Sequence, residues 1–199
     1  MKQIRRFAII LATAALIFQS GTVLASPVKD QLKTSIDNIL NVLKDPAYKG
    51  EANTEKRRQT LRVIINERFS FKKMSQLSLG KYWKQRSAQE KEEFVKLFSH
   101  LLEDAYVSKI EGYTDEKVIF TKELIKKKKA QVNTKIVTDT VEIPIDYRLF
   151  QGKSGSWQVY DMVIEGVSLV GNYRSQFSQI LEKDSYAELI KTLKKKIDN

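Results

Sequence analysis

The chain has 199 residues, 30% of them charged and 42% hydrophobic, with a net charge of +11, one histidine and no cysteine. Without cysteine there are no disulfides, no thiolate metal sites and no anchor built on a lipidated cysteine. A lone imidazole, His100, completes neither a zinc site nor a nucleophilic triad.

In chain order, Lys2, Arg5 and Arg6 precede an apolar run from Phe7 to Phe18, with small residues at Val23 to Ala25. A run this short does not span a bilayer, and the pattern is that of an export signal cleaved near Ala25. The expected product is a single domain, residues 26–199, held by packing alone, which agrees with a bacterial periplasmic setting without proving one. Export directs the remaining positive charge away from nucleic acid and toward anionic lipid surfaces or an acidic partner protein. Simple solubility explains the same charge equally well.

From Val28 to Phe71 the pattern is helical. Leu32, Ile36, Ile39, Leu40 and Leu43 recur at three and four, as do Leu61, Ile64, Ile65 and Phe69, with Asp45, Pro46 and Gly50 between the two sets. A short broken helix is expected from Phe71 to Trp83, stopped at Gly80. Ser87 and Glu90 form a capping box that opens a long helix. Its stripe of Phe94, Leu97, Phe98, Leu101, Leu102, Ala105, Tyr106 and Ile110 predicts a helix lying across a sheet.

After Gly112 the period changes to two, and four strands are expected: Val118 to Leu124, Ala130 to Thr138, Val141 to Phe150 and Trp157 to Val167. Strict alternation in the last places Tyr160, Met162 and Ile164 on one face and Val159, Asp161, Val163 and Glu165 on the other. Gly166 breaks it. Helices follow over about Ser168 to Leu181 and Tyr186 to Ile197, the second with a capping box at Ser185 and Glu188. The fold class is α+β: helical parts over about 26–112 and 168–199, and an antiparallel sheet over about 118–167 with helices on one face.

Little in this inventory performs chemistry. No glycine spacing fits a P-loop or dinucleotide fingerprint. Asp161 and Glu165, four residues apart on a strand, would be separated by about 13 Å, beyond a glycosidase pair; Arg148 or Arg174 are candidate ion-pair partners. His100 is expected at the surface, and no metal or catalytic residue is assigned. The lysine runs Lys126 to Lys129 and Lys194 to Lys196 are solvated charge or contacts to anionic headgroups.

Several segments together resemble the MlaC family of periplasmic phospholipid-binding, or toluene-tolerance, proteins. They are FSFKKMSQLSLGKYW from Phe69 to Trp83, SAQEKEEF from Ser87, Tyr106 with Tyr113, IPIDYRL from Ile143, and WQVYDMVIEGVSL from Trp157 to Leu169. The resemblance covers about Asp30 to Lys196. It implies a twisted four-stranded antiparallel sheet, a cystatin-like cone, wrapped by N-terminal, central and C-terminal helices around an apolar lipid pocket. It also implies a carrier, not an enzyme, without a cofactor and expected as a monomer. Phospholipid would be its cargo, moved between an outer-membrane lipoprotein–porin complex and an inner-membrane MCE-type ABC transporter to maintain outer-membrane lipid asymmetry. Hopanoid-associated relatives share much of the pattern, so a hopanoid or other hydrophobic cargo stays open, as does a non-lipid adaptor or chaperone with a solid core and an exposed apolar patch.

The residues expected to line the pocket are Phe94, Phe98, Leu101, Leu102 and Tyr106 from the long helix, and Tyr147, Met162, Ile164, Val167 and Leu169 from the sheet and the turn after it. They combine bulk, an inward face and nearness to Gly166. On this reading Val167→Glu puts an unpaired charge in the pocket and abolishes lipid retention.

Overall fold

An amphipathic helix opens the described part of the chain: α1, Pro27–Lys44, turns Val28, Leu32 and Val42 inward. The computed structural model describes residues 27–113 and 117–197, and the expected export signal, 1–25, lies outside the described residues. Two short 3₁₀ turns, Pro46–Tyr48 and Glu51–Asn53, lead into α2, Thr54–Arg68, which packs on α1. Asp45 starts the first turn by accepting from the Ala47 N–H at 2.8 Å, so the Asp-Pro pair caps and turns the chain in one step.

Helix α3, Phe71–Leu79, ends at Gly80, whose φ is +54. A Cβ there would stand 2.9 Å from Arg174 Nε, so Gly80 also makes room for that guanidinium. Arg174 thus lies over Gly80, and Arg148 is the residue that pairs with Asp161, at 2.9 Å. A six-residue 3₁₀ segment then precedes α4, Ala88–Glu111, where both halves of the Ser87–Glu90 capping box form, at 3.1 and 2.7 Å. Helix α4 packs mainly against α3 and α6, Tyr186–Ile197, rather than directly onto the sheet as its stripe suggested. At α6 only the serine half of the expected box is made; the Glu188 carboxylate turns instead to Lys191 at 3.3 Å.

The strands are β1 Lys117–Lys126, β2 Lys129–Val137, β3 Glu142–Gln151, β4 Trp157–Ile164 and β5 Val167–Ser168, each antiparallel to its neighbour in that order. The expected fourth strand is therefore two. Glu165 and Gly166 both have positive φ, +49 and +82, the backbone of a type I′ hairpin turn, and the chain folds back at once to pair Val167 with Ile164. Strict alternation along β4 also fails. Arg148 faces Asp161 while Leu149 faces Val159, so Tyr160 is an extra, bulged residue and Val159 shares the inner face with Met162 and Ile164.

One face of the sheet is wet, with Gln131 and Asn133 both donating to Asp146. The inner face meets α1 in a cluster of Val28, Leu32, Ala130, Val132, Leu149, Trp157 and Val159. A second cluster joins α3, α4, α6 and α5, Leu169–Lys183, around Phe94, Phe98, Phe177 and Leu189. Because β5 covers only the end of β4, the Val159 carbonyl is open and accepts the Ser70 N–H at 2.9 Å, fixing the α2–α3 junction on the sheet. Arg68 completes the joint by donating to Ser35 Oγ, Gln31 Oε1 and the Trp157 carbonyl.

Asp161 anchors the start of α5. Its carboxylate, 3% exposed, accepts from Arg148, from the Ser168 hydroxyl at 2.8 Å and from the Val170 N–H at 3.0 Å. Asp161→Ala strands the buried Val170 N–H and the half-buried Ser168 hydroxyl, and urea unfolding should show a loss of about 2–4 kcal/mol.

Candidate functional site: an apolar cavity between α1, α2, α4 and the sheet

Between the two packed clusters lies a space of about 420 Å³, within the range of ligand pockets. The α1 stripe supplies Leu32, Ile36, Ile39, Leu40 and Leu43 to its wall, and α2 supplies Leu61, Ile64 and Ile65. From Leu32 to Leu43 this wall runs about 16 Å along the helix axis. Leu102, Tyr106, Val107 and Ile110 face it from the second half of α4. The sheet contributes Val118, Ile136, Ile143, Ile145, Tyr147, Met162 and Ile164, and Leu169 enters from the start of α5.

Ile39, Leu40, Leu43, Ile64, Ile65 and Ile110 are only partly buried although periodicity turns each of them inward. Apolar side chains that point at a void, not at other side chains, are the mark of a hollow. Such a lining offers water few partners, and dry apolar cavities take apolar guests. Burial, and secondarily the neighbouring Tyr113, raises the Tyr147 phenol far above its ordinary value; burial alone raises Tyr106. Both phenols are neutral at physiological pH.

Six of the ten residues expected at the pocket line this cavity: Leu102, Tyr106, Tyr147, Met162, Ile164 and Leu169. Phe94, Phe98 and Leu101 do not. They are buried in the helical cluster, where the Phe98 ring meets Tyr173 at 5.1 Å and Phe177 at 5.5 Å. The α4 stripe is continuous, but its neighbours change along its length: its first half is covered by α5 and α6, and its second half faces the void. Val167 is also elsewhere. It shares a sheet face with Ile164 but stands past the cavity wall at the uncovered sheet edge, 60% exposed, so a glutamate there would sit in water. The α1 and α2 residues are not among those expected at the pocket; their spacing marks a helical stripe, which says that they face inward and not that they face a void.

The rim is charged. Arg57 Nε donates to Glu111 Oε1 at 2.8 Å, Arg58 Nη2 to Oε2 of the same carboxylate at 3.0 Å, and Arg62 Nε to Glu103 at 2.8 Å. These pairs tie α2 to α4 across the cavity, where the two helices make no extended packing. Burial by itself raises the Glu111 carboxyl, but hydrogen bonds and charge from Arg58 and Arg57 outweigh it and hold the group below its ordinary 4.5. Exposed His100 is not part of the site. Among the described residues no His, Asp and Glu cluster could hold a metal, and no helix is long and apolar enough to cross a membrane.

Two predictions follow from this geometry. Phe98→Ala should cost about 3–5 kcal/mol in urea unfolding and leave uptake of the apolar dye N-phenylnaphthylamine intact, whereas Ile64→Trp should reduce dye uptake with little loss of stability. Since the folded-state pKa of Glu111 lies below 4.5, the unfolded chain takes up the proton first. Its stabilisation is therefore whole above about pH 4.5 and is lost as pH falls through the folded-state value. Unfolding midpoints followed from neutral to acid pH should fall less steeply in Glu111→Gln.

The family model described as MlaC protein matches residues 33–195. Among curated proteins, the intermembrane phospholipid transport system binding protein MlaC of Haemophilus influenzae is 29% identical over 189 residues, spanning 92% of this chain and 85% of that one. Among solved structures, a phospholipid-binding protein of Ralstonia solanacearum, in complex with a phospholipid, superposes with a TM-score of 0.79 at 24% identity, covering 87% of this chain and 98% of the other. At that identity the match shows the fold.

Proposed function

The chain belongs to the MlaC family, its residues 33–195 matching the family model, and from that premise we propose that it carries a glycerophospholipid through the periplasm with the acyl chains in the cavity. The observation that carries the reading is the unfilled apolar space walled by α1, α2, α4 and the sheet. An acyl chain in water costs about 0.8 kcal/mol per CH₂, so a tail of roughly sixteen carbons costs on the order of 12 kcal/mol. A carrier has to offset that cost by enclosure. An interior lined by partly covered Ile and Leu side chains does so, and an adaptor with a solid core would have no need of one.

The relatives support the same assignment: the Haemophilus protein is named for intermembrane phospholipid transport, and the Ralstonia structure holds a phospholipid. Two donor and acceptor complexes complete the proposed cycle, an outer-membrane lipoprotein–porin complex and an inner-membrane MCE-type ABC transporter. Export by the segment at residues 1–25 would place the carrier between them. Lining residues Leu102, Tyr106, Tyr147, Met162, Ile164 and Leu169, with the α1 and α2 stripes, are the proposed contacts to the tails. In this reading the protein binds and releases; it transforms nothing.

Native purification, organic extraction and mass spectrometry test the proposal. Diacyl glycerophospholipid should copurify with the wild-type protein and be lost from Ile65→Glu, which puts an unpaired carboxylate in the wall. A lipid-free wild-type protein, or equal lipid on the folded variant, would sink it; a hopanoid in the extract would reassign the cargo.

A further inference from the structure

Beyond the end of α1 a second recess opens, lined by Lys44, Tyr48, Lys49, Gly50, Arg57, Glu111 and Tyr113 together with Leu43. Leu43 and Tyr113 also line the apolar cavity, so the two spaces adjoin at that end. We propose that this recess is a phosphate-binding site, and that the phosphate it takes is that of the lipid whose tails occupy the cavity. The lipid as source rests on the carrier reading; the cationic recess does not.

The charges decide the ligand class. The side-chain ammonium groups of Lys44 and Lys49 have no hydrogen-bond or ion-pair partner among the described residues, and both residues are exposed. Arg57 is held in place by Glu111, by the Tyr48 carbonyl at 2.8 Å and by Thr54 Oγ1. Among the described residues the one carboxylate lining the recess, Glu111, already accepts from two guanidiniums through both oxygens. Asp45, next in sequence to Lys44, turns its carboxylate to the Ala47 N–H. Two unpaired ammonium groups and a fixed guanidinium therefore surround a carboxylate that is already neutralised, which is an environment for an anion. Phosphate suits it, since its oxygens accept charge-assisted hydrogen bonds from Lys and Arg together.

The amphiphilic order along α1 matches that of the cargo. An apolar wall runs from Leu32 to Leu43 and a cation follows at Lys44, just as a phosphate follows the tails in a glycerophospholipid. Gly50 lines the recess with φ +83 and no atom near the position of a Cβ, so no side chain competes for the space.

The test uses delipidated full-length protein, dioleoylphosphatidylglycerol, dioleoylglycerol with the same tails but no phosphate, and inorganic phosphate. Displacement of N-phenylnaphthylamine should show the phospholipid preferred over dioleoylglycerol by about tenfold or more, the weight of one charge-assisted hydrogen bond. Lys44→Glu/Lys49→Glu, and more mildly Lys44→Gln/Lys49→Gln, should erase the preference by weakening the phospholipid alone. An unchanged preference in both variants, or none in the wild type, overturns the lipid phosphate as occupant. If inorganic phosphate then still binds by calorimetry in the wild type and not in the variants, the recess is a site for free phosphate. If it does not, the recess is no phosphate site, although dioleoylglycerol binding would leave the carrier reading standing. Failure of both lipids to bind, with inorganic phosphate still captured, overturns the carrier and keeps the recess.

Discussion

A hollow in a folded protein survives only if its walls have reasons of their own to stay apart. Here the walls belong to two separately completed cores. Val28, Leu32, Trp157 and Val159 fasten α1 to the sheet, while Phe94, Phe98, Phe177 and Leu189 fasten α4 into the helical cluster. Neither core lacks side chains of its own that would draw the other in. Across the remaining gap, α2 and α4 are joined by guanidinium–carboxylate pairs that fix their spacing without filling the interval. The arrangement keeps close packing, which is the rule for protein interiors, on both sides of a place where it is suspended.

Polar groups define where the space ends. Arg68 closes the α1–α2–β4 corner, and its burial, which lowers the guanidinium from its ordinary value, is matched by three neutral acceptors in place of a carboxylate. At the opposite end Arg57, Arg58 and Glu111 mark the passage from apolar lining to cationic recess. Occupancy and stability are then linked: a guest that covers Ile39, Leu40, Ile64 and Ile65 binds the folded state alone and so stabilises it by mass action.

Much of this could be read from spacing, and the exceptions share a cause. Helical stripes, the Ser87–Glu90 box and the change of period after Gly112 are local, and the structure repeats them. The bulge at Tyr160 is not local, since it is defined by which β3 residue each β4 residue faces, and alternation alone assigns Val159 to the wrong side. The β5 return depends on a glutamate accepting positive φ, which a residue of its type seldom does. Arg62 and Glu103, or Arg58 and Glu111, lie some forty to fifty residues apart and carry no spacing signal. Phe94 and Phe98 were assigned to the pocket because a stripe tells which way a side chain points and not what it meets. Tyr173 and Phe177, one turn apart on α5, were the visible hint of their true partners. Periodicity cannot tell a filled interior from a hollow one, and only the family resemblance pointed to the second.

Strand β1 forms one border of the sheet, with Ile119, Leu124 and Ile125 exposed along it. Such a border, with free amide and carbonyl groups beside apolar side chains, is a template for another chain to add to. Lys117, Lys122 and Lys126 lie on it, the turn and β2 continue the row through Lys127, Lys128 and Lys129, and a bulge after Phe120 breaks its regularity. Two such borders brought together repel, and they are kinked where they would need to be straight. The lysine row thus has a use that involves no ligand: it keeps a crowded population of these molecules from knitting into shared sheets, a safeguard that salt would erode.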